Sequence, residues 1–220
     1  KEENNPLSAY SENYRLGIAV TGTAVQQSWN SKPQQASFYT LRAAVELILK
    51  RFGLDIYSLK CETLQSDLFG DAIEVFVNNK PLVQLGQVNA KICKEFDLKQ
   101  PVFFAEMDFD QLMKATRKHK IAAMELSKYP EVRRDLALLL DKNVTFAQLR
   151  DVAFATERKL LKAVNLFDVY EGDKLPEGKK SYALGFTLED KSQTLNDKAI
   201  ERVMSALQAA LEKQFGAQIR

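Results

Sequence analysis

Cysteine, histidine and long apolar runs are scarce in this chain, and each scarcity removes a class of function. Two cysteines, Cys61 and Cys93, and one histidine, His119, stand among 220 residues. The cysteines form no close-spaced ligand pair and the histidine is far from both, so two reduced structural thiols are expected in place of a zinc site or a Cys-His nucleophile. No apolar stretch reaches the length of a membrane helix, and the start, Lys1 to Pro6, is charged and polar where a signal peptide would carry its apolar core. The expectation is a cytosolic protein that does not enter membranes. A formal charge of +2 leaves no polybasic surface to announce nucleic acid, so any RNA contact must be local. A Gly-rich phosphate loop, a Gly-x-Ser-x-Gly elbow and a His-rich metal pattern are also missing, and no catalytic or metal-ligating set is expected.

What is there is the composition of a folded chain, 45% hydrophobic and 27% charged, which argues against disorder as the main state. Leu16, Ile18 and Val20 alternate as in a half-buried strand. From Ser37, placed to cap a helix, Leu41, Ala44, Val45, Ile48, Leu49 and Phe52 fall on one helical face and Gly53 closes it. Ile73, Val75 and Val77, then the turn residues Asn78-Asn79-Lys80-Pro81, then 82–88 predict a hairpin. A short helix near 90–96, a strand at 102–107 and a helix from Asp108 or Asp110 to about Lys118 complete residues 1–126 as an α+β module with a mostly antiparallel sheet. The acid pairs Asp108 with Asp110 and Glu189 with Asp190 sit at helix starts and strand ends, where carboxylates are structural.

The character changes across 117–130, which places a domain boundary near Leu126. Beyond it the predicted order is a strand at 133–140, a helix at 145–160 capped by Thr145, strands at 163–170 and 180–188, a long helix at 196–215 and a short strand at 217–219. That order, βαββαβ, is the ferredoxin-like unit, expected over residues 127–220.

Helices cover one face of such a sheet, and side chains alternate between its faces. Tyr182, Leu184, Phe186 and Leu188 form the bulky row that meets the helices, which turns Ser181, Ala183, Gly185 and Thr187 to the open side. In the preceding strand Phe167 and Val169 suit the covered face, turning Leu166, Asp168 and Tyr170 to the open one. Asp168, Tyr170 and Ser181 then share a surface beside Lys179 and Lys180. A ring is a platform for an unpaired base, while a carboxylate and a hydroxyl hydrogen-bond base edges. Lys179, Lys180, Arg133 and Arg134 are candidate phosphate contacts. The same fold equally serves a stand-alone interaction or regulatory module that binds no RNA.

Tyr129-Pro130, Arg133-Arg134-Asp135-Leu136-Ala137, Leu166-Phe167-Asp168-Val169-Tyr170-Glu171-Gly172, Leu175-Pro176-Glu177-Gly178-Lys179-Lys180-Ser181 and Thr194-Leu195-Asn196-Asp197 together resemble the ferredoxin-fold anticodon-binding domain that closes the bacterial phenylalanyl-tRNA synthetase β chain. Upstream, Trp29, Phe38-Tyr39, Leu41, Leu85-Gly86 and Phe96-Asp97-Leu98 resemble the preceding module of that chain, with Ser37, Ala43 and Asn89 departing from its usual residues. The resemblance implies a C-terminal fragment of that β chain. Its first module would have a class II synthetase-like fold without activity, in keeping with the missing Gly-x-Gly-x-x-x-Arg pattern. It would pack on the catalytic α chain of an (αβ)2 assembly that uses ATP and Mg2+, no cofactor being bound by the fragment. The second would bind tRNAPhe, with Tyr170 stacked on the first anticodon base and Asp168 and Ser181 reading its edge.

Overall fold

The computed structural model describes residues 10–120 and 127–220. The expected polar start, Lys1 to Pro6, and part of the expected junction, 121–126, lie outside the described residues. The chain divides into two compact units, Lys1–Ala122 and Ala123–Arg220.

The first unit contains β1 (Arg15–Thr21), β2 (Thr23–Val25), β3 (Gln34–Gln35), α1 (Phe38–Arg51), β4 (Lys60–Thr63), β5 (Phe69–Val77), β6 (Lys80–Val88), α2 (Ala90–Glu95), β7 (Val102–Asp108) and α3 (Phe109–Thr116). A five-stranded sheet runs in the order β1-β7-β6-β5-β4 with every pairing antiparallel. Leu16, Ile18, Val75, Leu85, Ala105 and Met107 line one face and pack with Leu41, Val45 and Leu49 of α1 and Leu112 of α3.

Local chemistry sets these elements. Ser37 and Thr40 form a reciprocal capping box at the start of α1. Asn78 and Asn79 both take positive φ, 50° and 59°, the two-residue turn whose twist suits a hairpin. After the cap residue Phe52, Gly53 turns at φ +82°, and a Cβ there would sit 2.2 Å from the His119 ring. The one histidine is thus a packing group laid over glycine backbone. The short strands β2, β3 and β4 were not expected; every residue in them is exposed, so they carry no apolar alternation.

The second unit contains β8 (Val132–Asp141), α4 (Phe146–Thr156), β9 (Leu161–Tyr170), β10 (Lys179–Leu188), α5 (Asp197–Phe215) and β11 (Gln218–Ile219). Its antiparallel sheet has the order β11-β8-β10-β9, giving the βαββαβ arrangement. Helix α4 ends at Thr156, short of the expected Leu160, because the Glu157 carboxylate accepts from the backbone amides of Lys159 and Leu160 at 2.8 and 3.0 Å and turns the chain into β9. Asn196 caps α5, Gly216 at φ +60° ends it, and Ile200, Val203, Leu207 and Leu211 bury its inner stripe. No helix among the described residues is long and apolar enough to cross a membrane.

One expected strand orientation is reversed. β9 meets β10 with a register shift, so that Asp168 lies across from Ala183 but Leu166 lies across from Leu184. Phe167 is the extra residue of a β-bulge. Leu166 therefore packs against the helix-covered core, and Phe167 is 47% exposed.

At the start of β9, Lys162 pairs with Glu131 and, at 2.9 Å, with Glu189 just past β10. The lysine bond, then a bond to Ser127, holds the Glu189 carboxyl below its usual range, while Glu131 and Glu189 push the Lys162 ammonium up. A depressed carboxylate stabilises the fold above its unfolded pKa and stops doing so as pH falls through its folded one. The raised lysine contributes below its unfolded pKa and loses its contribution only as pH climbs through the folded one.

Two outcomes follow for stability. In denaturant titrations Leu166→Ala costs about 2 kcal/mol or more and Phe167→Ala less than about 1 kcal/mol, the reverse of strict alternation. Lys162→Met flattens the acid limb, so its melting temperature falls less than that of the parent between neutral and acidic pH.

Candidate nucleic-acid interface

Strand β10 lies between β8 and β9 and sorts its side chains by size. Tyr182, Leu184, Phe186 and Leu188 are buried with Leu149 and Ala153 of α4 and Val203, Leu207 and Leu211 of α5. Ser181, Ala183, Gly185 and Thr187 point the other way, and residues directly across an antiparallel ladder share a face. Ser181 is opposite Tyr170 and Ala183 opposite Asp168, so Asp168, Tyr170 and Ser181 lie on the side away from the helices. The bulge keeps this alignment while reversing Leu166 and Phe167.

The three differ in environment. Asp168 is exposed and, among the described residues, forms no ion pair or side-chain hydrogen bond, leaving an acceptor open to a ligand. Ser181, on the inner strand, is only 8% exposed. Tyr170 is half-buried: Arg220 holds its guanidinium 5.8 Å from the ring centroid. The backbone N–H of Arg220, just past β11, donates to the Ala137 carbonyl of β8 at 3.0 Å, so its side chain crosses the open face from the β11 edge toward the β9 edge. The Tyr170 hydroxyl occupies the place where a Cβ on Gly172 would stand, 2.6 Å away, which is why a glycine belongs two residues after the ring.

The four basic candidates divide by face. Lys179 is across from Asp141 on the open side, with Nζ 2.7 Å from its carboxylate. Arg133 is across from Thr187 on the same side; its Nε donates to Asp135 at 2.9 Å and its guanidinium lies 5.0 Å from the Phe167 ring centroid. Lys180 belongs to the covered face: it is 6% exposed and its Nζ donates to the Tyr182 hydroxyl at 2.8 Å. Arg134 also belongs to that side, across from Phe186, with Nη2 3.8 Å from Asp197 in the first turn of α5. Neither Lys180 nor Arg134 shares the surface of Tyr170, because neighbouring residues of a strand point oppositely.

Sequence reasoning missed Phe167, Arg220 and Gly172 as parts of this surface. One signal for the bulge was present: the apolar residues of β9 on the helix side, Val164 and Leu166 in the core and Val169 opposite Tyr182 but 49% exposed, step by two and then by three. Arg220 had no such signal, since its place over Tyr170 depends on the whole width of the sheet. Among the described residues no cluster of three or more acidic, histidine or cysteine side chains is placed to hold a metal ion.

Two family models divide the chain between them. Residues 127–220 match the ferredoxin-fold anticodon binding domain, and residues 2–109 match the phenylalanyl tRNA synthetase beta chain CLM domain. The chain is 48% identical to the phenylalanine–tRNA ligase beta subunit of Bacteroides thetaiotaomicron, over 100% of this chain and 27% of that protein. It is 44% identical to that of Porphyromonas gingivalis, again over 100% and 27%, and 34% identical to that of Geobacillus kaustophilus, over 95% and 26%. The chain thus spans about a quarter of the length of these relatives. With both of its units matched to consecutive parts of one subunit, the chain belongs to the phenylalanine–tRNA ligase beta-subunit family and corresponds to the C-terminal part of that subunit.

Proposed function

We propose that this chain is the tRNA-gripping end of a phenylalanine–tRNA ligase, in which the second unit binds the anticodon of tRNAPhe and the first packs on the catalytic α chain of an (αβ)2 assembly. Tyr170 stacks on the first anticodon base, while Asp168 and Ser181 hydrogen-bond its edge. Arg133 and Lys179 attract the neighbouring phosphates, a role that Lys180 and Arg134, turned to the helix side, do not take. ATP and Mg2+ serve the α chain, where phenylalanine is joined to the distant acceptor end. The assembly works in the cytoplasm.

The observation that carries this reading is the pairing of Tyr170 with Ser181 and of Asp168 with Ala183 on one helix-free face, within the segment that matches an anticodon-binding domain. Binding energy gained there positions the tRNA for a reaction elsewhere. The unoccupied carboxylate of Asp168 suits a base edge, since it accepts hydrogen bonds and gives up no existing partner to do so.

A partner for the first unit is supported by its apolar surface. Tyr39, Ala43 and Leu47 repeat at four-residue intervals along the outer side of α1, and Tyr39 and Leu47 are 75% and 70% exposed, with Trp29 at 96%. A class II synthetase-like fold for this unit fits its antiparallel sheet and flanking helices. A charge placed in an apolar interface is costly to desolvate.

Two measurements test the reading. In the full-length ligase, Tyr170→Ala lowers kcat/KM for aminoacylation of tRNAPhe by roughly 5- to 150-fold, the worth of about 1 to 3 kcal/mol for one base stack. Phenylalanine-dependent pyrophosphate exchange, which needs no anticodon, stays at the parental rate; unchanged KM and kcat for tRNA would reject the stacking role. Leu47→Glu abolishes co-purification of the β chain with the α chain while its circular dichroism is preserved; recovery of an intact complex would reject the α1 contact.

A further inference from the structure

The bulge in β9 puts a second ring on the face that carries Tyr170. Phe167 is 47% exposed, and Arg133 reaches it from β8 by crossing the central strand at Gly185. A Cβ on Gly185 would lie 2.9 Å from Arg133 Nε and 3.0 Å from Nη2, so the path over the sheet exists because that position has no side chain. The geometry repeats one strand position away, where Arg220 crosses the same face to Tyr170. Both rings stand on the β9 edge, and each is met by a flat cation.

We propose, building on the anticodon reading above, that Phe167 and Arg133 form a second nucleotide subsite that takes the unpaired nucleotide adjacent to the one on Tyr170. Phe167 stacks the base, and Arg133 leaves the ring to pair with that nucleotide's phosphate. Tyr170 lies across from Ser181, and Phe167 sits at the step between Ala183 and Leu184, two to three residues along β10. That separation is roughly 7 to 10 Å, which one step of an extended single strand spans. Every base has a π face, so such a platform holds a neighbouring base whatever its identity.

The existing partners of Arg133 do not block this exchange. Its contact with Asp135 is a surface ion pair, with both side chains about half exposed at 55% and 51%, and such pairs contribute little net stability. A phosphate offers the guanidinium a bidentate, charge-assisted partner instead.

The test uses the full-length ligase and tRNAPhe with an abasic site placed on either side of the first anticodon base. Phe167→Leu weakens binding of intact tRNA roughly five-fold or more, and the loss vanishes when the correct neighbour is abasic, whereas Tyr170→Ala keeps its own loss on that RNA. Phe167→Tyr, which retains a ring, binds as the parent does. Arg133→Gln lowers the slope of log K against log salt by about one phosphate contact. If Phe167→Leu binds normally while Tyr170→Ala is weakened, the second subsite is wrong and the anticodon reading stands; if neither variant is weakened, both are wrong. A Phe167→Leu loss that is the same on every abasic RNA, with an unaltered melting temperature, also overturns the subsite, as does an unchanged salt slope for Arg133→Gln.

Discussion

A sheet with helices on only one side must spend its apolar residues on that side, and the candidate surface of the second unit follows from this constraint. Tyr182, Leu184, Phe186 and Leu188 of β10 are taken up by α4 and α5. The alternate row is left with Ser181, Ala183, Gly185 and Thr187, residues small enough for long side chains from neighbouring strands to lie across them. Burial on one face thus creates a shallow, polar field on the other. The aromatic groups of that field stand at its β9 edge, where a ring can rise beside the flat centre.

The β-bulge changes what that edge can do. Strict alternation would leave one ring, Tyr170, on the open side; the added residue brings Phe167 there as well and returns Leu166 to the core. Arg133 and Arg220 then reach the two rings across the sheet. Such cation–π contacts are weak at exposed sites, about 0.5 to 1 kcal/mol. They hold the rings in place without sealing them from a competing base, whereas a ring buried under a helix would have to be excavated first.

Much of the fold was legible because its signals are local. The α1 cap at Ser37, the Asn78-Asn79 turn, the alternation in β1 and the α4 cap at Thr145 each act within a few residues. The order of elements in 127–220 and the shared face of Asp168, Tyr170 and Ser181 were legible for the same reason. The division of the basic pairs was hidden by reading Lys179-Lys180 and Arg133-Arg134 as units, although alternation itself assigns Lys180 to the row of Tyr182. The bulge, the capture of His119 over Gly53 and the reach of Arg220 depend on contacts between distant segments. The all-exposed strand β4 leaves no trace in a hydrophobic pattern.

The central claim is that RNA meets the helix-free face of the second unit. Backbone amide shifts of the isotope-labelled chain, followed during titration with an anticodon stem-loop of tRNAPhe, test it most directly. The account predicts saturable changes at Asp168, Tyr170, Ser181 and their ladder neighbours, with the outer surfaces of α4 and α5 unaffected. Changes confined to those helices, with β9 and β10 unperturbed, would contradict it.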